Sequence, residues 1–190
     1  VKIIMQDHRF SNIRAILFPI HGGELKKFLP LAVIKLLILF NFYILHNTKD
    51  AFIVATDKSG AEALNFIKIW GVVPVAFIFY FLLTYFSNFI RMRTIFYAVM
   101  GFFALFFVAF SFFVYPISAE LHLTPEAIES MMLEYPRLKW FVPLYGYWTF
   151  SLFYIIADLW GSMVVAYLFW QFANQITRID EAPRFYPMFN

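Results

Sequence analysis

Four stretches of this chain are too long and too apolar to be at home in water. Residues 28–46, "FLPLAVIKLLILFNFYILH", open the series. Residues 64–86 and 94–115 follow, the latter with eight Phe and no charged side chain, and residues 140–176 close it. A helix needs about 20 apolar residues to cross roughly 30 Å of hydrocarbon, so each stretch is long enough to span. Composition agrees: 62% of the residues are hydrophobic and 14% are charged, where a soluble domain carries about 25% charged residues. The expected fold class is an all-α membrane protein with four transmembrane helices. The absence of cysteine excludes disulfides and thiolate metal ligands.

The fourth stretch is ambiguous. At 1.5 Å per residue its 37 positions would make a helix of about 55 Å, long for one span and barely sufficient for two. The basic residues decide between them. With the N-terminus inside and four spans, Lys2, Arg9, Arg14, Lys26, Lys27, Arg91, Arg93, Arg178 and Arg184 are cytoplasmic. Only Lys49, Lys58, Arg137 and Lys139 fall outside, in keeping with the positive-inside rule. Residues 140–176 are therefore read as one helix loosened at its outer end by Pro143 and Gly146. Residues 1–27, with no clean apolar core of a signal peptide, are read as a cytoplasmic segment, and 177–190 as a second. Lys49 belongs to an outer polar loop on this reading. In the other outer loop, Thr124 predicts an N-cap, Pro125 a first helical residue and Pro136 a stop.

Three ionisable residues fall inside the spans: Lys35, Lys68 and Asp158. A charge at the bilayer centre costs about 2.5–3.5 kcal/mol even on the gentler insertion scale, so it marks a pathway or a paired charge. Asp158, in "IADLWGS", lies midway along the fourth stretch and is too short to reach either surface. Its carboxylate is either helix glue or a cavity-facing functional acid, expected to point into the bundle towards Lys35 or Lys68. Gly161 and Ser162 share its helix face and permit close approach of a neighbour or leave room for a ligand. Lys35 and Lys68 stand nearer their span ends, where snorkelling is an equally good account of each. Asn41 is expected to bond to a neighbouring helix.

Other signals are weak. "HGGE" at 21–24 lacks phosphate-loop spacing, and no GxxxxGK[ST] occurs. His8, His21, His46 and His122 are scattered, giving no metal site. No nucleophile and base are arranged for catalysis, so the chain is not expected to be an enzyme. No cofactor and no nucleic-acid partner is indicated.

Two blocks carry a resemblance: "KKFLPLAVIKLLILFNFYILHNTKDAFIVATDKSGAEALNFIKIWGVVP" and "IADLWGSMVVAYLFWQFANQITRIDEAPRFYP". Across nearly the whole chain the sequence resembles the nucleotide transporters of obligate intracellular bacteria and plastids, the ATP/ADP translocases. The resemblance implies the first part of a twelve-helix, major-facilitator-like transporter exchanging ATP and ADP across a bacterial inner membrane or plastid inner envelope. It also implies that Lys68, in "NFIKIW", and Asp158, where the family more often has Glu, contact the nucleotide. Lys35 joins them as a candidate substrate-binding cation. The alternative is a truncated, non-transporting relative, a structural subunit with partners in a membrane complex.

Overall fold

A computed structural model describes residues 20–56 and 62–189. Four helices in it are long and apolar enough to cross a membrane. They are α1 (Leu25–Val54), α2 (Glu62–Ser87), α3 (Met92–Leu121) and α6 (Trp148–Ile176). Between α3 and α6 lie α4 (Pro125–Glu134) and α5 (Phe141–Gly146), and α7 (Ala182–Phe185) follows α6. There is no strand among the described residues. The protein is an integral, multi-pass helical membrane protein.

Helix α6 is the centre of the bundle. It packs against α1, α2 and α3, and it buries more of itself than any of them. The interface with α1 follows from spacing. The buried residues of α1 are Phe28, Leu31, Lys35, Ile38, Leu45, Lys49 and Ile53. Steps of three, four and seven residues keep them on one stripe of a helix. On α3 the buried Phe96, Phe103 and Phe110 recur every seven residues and meet α6. Phe96 stacks on Phe172 at 4.6 Å, Phe103 stands edge-on to Trp160 at 5.4 Å, and Phe110 lies 4.7 Å from Phe153.

The structure corrects the expected helix ends in two places. Helix α1 continues past His46 to Val54, so "NTKD" is helical and Lys49 is not in a loop. Thr48 Oγ1 donates to the Ile44 carbonyl at 2.8 Å, and Lys49 pairs with Asp50. Asn41 likewise donates to the Leu37 carbonyl of its own helix, at 2.9 Å, rather than to a neighbour. The fourth stretch is also divided. Tyr147, at φ −103° and ψ 44°, breaks it into α5 and α6. Pro143 has no amide proton to give to the first turn. The Gly146 carbonyl accepts from Leu123 N–H at 3.1 Å, and a Cβ on Gly146 would lie 2.6 Å from Ile128 Cδ1 of α4. That docking holds α5 against α4. Thr124 caps α4, its side chain accepting from Ala127 N–H at 3.3 Å.

Helices α2, α3 and α6 each contain wide turns of the i→i+5 kind: Ile67–Val72, Phe110–Val114 and Trp160–Leu168. Such turns recur at functional sites. At two of them a glycine admits a neighbour. A Cβ on Gly71 would meet Ile155 Cδ1 at 2.9 Å, and one on Gly161 would meet Phe42 Cε2 at 2.6 Å. Gly161→Val is therefore expected to cost about 1–3 kcal/mol by overpacking the α1–α6 crossing. A thermal melt of the detergent-solubilised protein measures it, and an unshifted Tm contradicts the close packing.

At the other end of the same helix pair, the segment after α6 folds back on the start of α1. Lys27 Nζ lies 3.1 Å from Glu181 Oε1, Arg184 pairs with Glu24, and Phe28 packs 5.2 Å from both Phe185 and Phe189. The Glu181 carboxyl is held below its usual range, first by the N–H of Arg178 and also by Lys27. A depressed carboxyl pKa stabilises the fold fully above the unfolded value, 4.5, and that contribution is lost as pH falls through the folded value. Glu181→Gln is expected to lower stability by about 1 kcal/mol at neutral pH, with the difference from wild type shrinking below the unfolded value. Melting curves across pH test this; a difference independent of pH contradicts it.

Candidate functional site

The stripe that α1 presents to α6 carries two lysines. At 1.5 Å per residue, Lys35 and Lys49 are separated by about 21 Å along the helix. Hydrophobic periodicity places both inside, and the surroundings of the two ammonium groups differ completely.

Lys49 is 1% exposed. Its Nζ lies 2.8 Å from Asp50 Oδ1 and 3.0 Å from Asp158 Oδ1, and 4.1 Å from the ring centroid of Tyr154. The Tyr154 hydroxyl is buried and makes no hydrogen bond of ordinary length with the described residues. Asp50 Oδ2 is 3.8 Å from His46 Nε2, one turn earlier on α1. The two carboxylates are only partly covered, with 33% of the Asp50 side chain and 28% of the Asp158 side chain exposed. The cluster thus has a buried cation beneath two half-exposed acids. Burying one ion of such a pair without its partner costs several kcal/mol, so the three groups depend on one another. Formal charge is −1 with His46 neutral.

Asp158 reaches Lys49 because α6 is kept close to α1 just beyond it. Trp160 Nε1 donates to the Ile38 carbonyl at 3.1 Å, and Gly161 admits the Phe42 ring. The Ser162 hydroxyl turns back to the Asp158 carbonyl at 3.3 Å. The side-chain carboxylate of Asp158 is therefore free for the cross-helix bond. Asp158 does point into the bundle, but its cation is Lys49, not Lys35 or Lys68. The reason is the extension of α1 past His46: its first additional turn carries Lys49 along the seam to the level of Asp158.

Lys35, 8% exposed, has no carboxylate within ion-pair distance among the described residues. Its ammonium lies 4.6 Å from the Phe169 ring and 5.1 Å from the Trp170 ring of α6. Cation–π contacts are worth up to about 2 kcal/mol when desolvated, far less than a carboxylate supplies. Lys68 is exposed, in the wide turn of α2, and forms no ion pair with the described residues. Structure thus separates the three candidates: Asp158 in a buried pair, Lys35 between aromatic rings, Lys68 at the surface of the helices. Lys49, Asp50 and Tyr154 were not singled out from sequence. The signal that finds Lys49 is the three-four spacing of α1's apolar stripe, continued past His46.

Four helices long enough to span, with charges paired across their central seam, place an ionic cluster inside a membrane protein. Sequence comparison makes the class specific. Residues 4–190 match the family model of the TLC ATP/ADP transporters. The chain belongs to that family. It is 44% identical over 183 residues to ADP,ATP carrier protein 1 of Rickettsia bellii (strain RML369-C), covering 96% of this chain and 36% of that protein. It is 43% identical over 184 residues to ADP,ATP carrier protein 1 of Chlamydia pneumoniae, covering 97% of this chain and 36% of that protein. ADP,ATP carrier protein 3 of Rickettsia bellii is 40% identical over 179 residues. The chain therefore spans little more than a third of the length of these curated relatives. No solved structure matches it.

Proposed function

We propose that the whole protein exchanges nucleotides, ATP against ADP, across a membrane, and that this chain supplies its first four spanning helices. Family membership over residues 4–190 carries the reading. Charged residues placed within apolar helices support it, since an ion at that depth marks a transport path or a paired charge. The membrane is a bacterial inner membrane or plastid inner envelope, with the N-terminus and residues 177–190 on the cytoplasmic or stromal side. The complete transporter is major-facilitator-like on this reading, its site lying between two halves near the midplane.

Lys35, Lys68 and Asp158 border the nucleotide path in this proposal. An exposed lysine such as Lys68 offers a hydrated point charge to phosphate. Lys68→Ala is expected to raise the KM for nucleotide at matched expression, and Lys68→Arg to recover part of the loss. Asp158→Glu preserves the carboxylate and is expected to be tolerated.

Reconstitution of the whole protein in liposomes tests the function. Loaded ADP is expected to drive saturable uptake of labelled ATP. Uptake that does not depend on internal nucleotide contradicts exchange. Residues 1–190 alone are expected to give no exchange, because a site between halves needs both.

A further inference from the structure

We propose that Asp158 is a placeholder: in this conformation it occupies the position on Lys49 that a phosphate group of the nucleotide takes during transport. The inference rests on the nucleotide-transport reading and deepens it, by naming the phosphate seat as a residue that reading does not include.

The argument starts from the unequal attachment of the two carboxylates. Asp50 is the next residue to Lys49 on the same helix, so their bond, 2.8 Å long, survives any rigid movement of α1. Asp158 belongs to α6, and its 3.0 Å bond crosses the helix interface. Separation of the outer ends of α1 and α6 breaks that second bond alone. Lys49 then keeps one acid and is left with ammonium protons to give. An ammonium has three donors and no acceptor, and a dianionic phosphate competes well for them. Retention of Asp50 removes most of the penalty that would otherwise accompany an orphaned buried cation.

The local architecture suits such an exchange. Lys49 itself is sealed at 1% exposure, while the Asp50 and Asp158 side chains are 33% and 28% exposed, so an anion approaching the ammonium meets a carboxylate first, and of the two only Asp158 can leave with α6. The Tyr154 ring lies 4.1 Å from the ammonium, and its hydroxyl, buried and without a hydrogen bond of ordinary length, is able to donate to a phosphate oxygen. Just beyond Asp158, the wide turns Trp160–Leu168 weaken the regular helix in α6. At the far end the ion pairs Lys27–Glu181 and Arg184–Glu24 hold the segment after α6 against the start of α1. Movement is thereby directed to the end where Lys49 and Asp158 meet. A carboxylate that returns to the lysine when phosphate departs also assists release.

The placeholder role has a signature that a purely structural pair lacks: removing the carboxylate strengthens binding. ADP and adenosine binding are measured on the whole solubilised protein by calorimetry, with exchange measured in liposomes. Lys49→Gln is expected to weaken ADP binding by about tenfold or more, the loss of a charge-assisted hydrogen bond, and to leave adenosine binding unchanged. Asp158→Asn is expected to tighten ADP binding severalfold, leave adenosine unchanged and slow exchange, because release has lost its competitor. If Lys49→Gln does not fold, the Asp158→Asn arm decides alone. Unchanged or weaker ADP binding in Asp158→Asn overturns the placeholder role, as does an equal change for ADP and adenosine. Failure of the wild type to bind ADP overturns the nucleotide reading and this inference together.

Discussion

Lys49→Met is expected to lower the stability of the solubilised protein by about 3–5 kcal/mol, the cost of breaking a buried ion pair by removing one partner. For a chain of this size that is a fall in Tm of about 10 °C. Methionine replaces the packing of the side chain against Tyr154 but leaves Asp50 and Asp158 facing each other without their shared cation. Two carboxylates so placed repel, and each is already partly desolvated. Lys49→Arg retains the charge and is expected to cost less, although a planar guanidinium fills a point-charge site imperfectly. Asp158→Asn introduced beside Lys49→Met is expected to restore part of the loss by removing one unpaired acid. Tryptophan fluorescence during heating measures all three, and wild-type melting of Lys49→Met contradicts a structural dependence on the pair.

Trp160→Ala is expected to cost about 3–5 kcal/mol. Trp160 is 5% exposed and stands at the point where α1, α3 and α6 meet. Its ring is perpendicular to Phe103 and lies 6.4 Å from Phe107, while its N–H reaches the Ile38 carbonyl of α1. Truncation opens a cavity against both neighbours and removes the polar tie between them. Trp160→Phe keeps an aromatic ring and loses the donor, so a net loss of about 1 kcal/mol is expected from the hydrogen bond, with a further packing loss from the smaller ring. Equal melting of the alanine and phenylalanine variants would show that the ring does not fill the crossing.

The four spans were legible because an unbroken apolar run of this length leaves a membrane helix as its physical account. Asp158 was legible for a related reason: a carboxylate in the middle of such a run is costly and needs a partner. Lys49 was hidden by its neighbours. "HNTKD" has the composition of a loop, and local propensity gives no hint that Asp158, far along the chain, supplies a counter-charge. Yet Phe28, Leu31, Lys35, Ile38, Leu45 and Lys49 keep one helical period, and that period runs through the polar residues without interruption. The division of the fourth stretch at Tyr147 was hidden in the same way. Pro143 and Gly146 marked a weak point, but the break depends on Leu123 and Ile128 docking from a different part of the chain. Asn41 met its need within its own helix, a choice that composition does not distinguish from a cross-helix bond.

A double-mutant cycle on Lys49 and Asp158 tests the central claim, that these two residues join α1 to α6. Equilibrium unfolding in mixed micelles is measured for wild type, Lys49→Met, Asp158→Asn and the double variant. A coupling energy of about 1.5–3 kcal/mol is predicted, in the range for contacting charged groups. Additivity within about 0.5 kcal/mol, the behaviour of distant sites, would contradict the pair and the account of the site built on it.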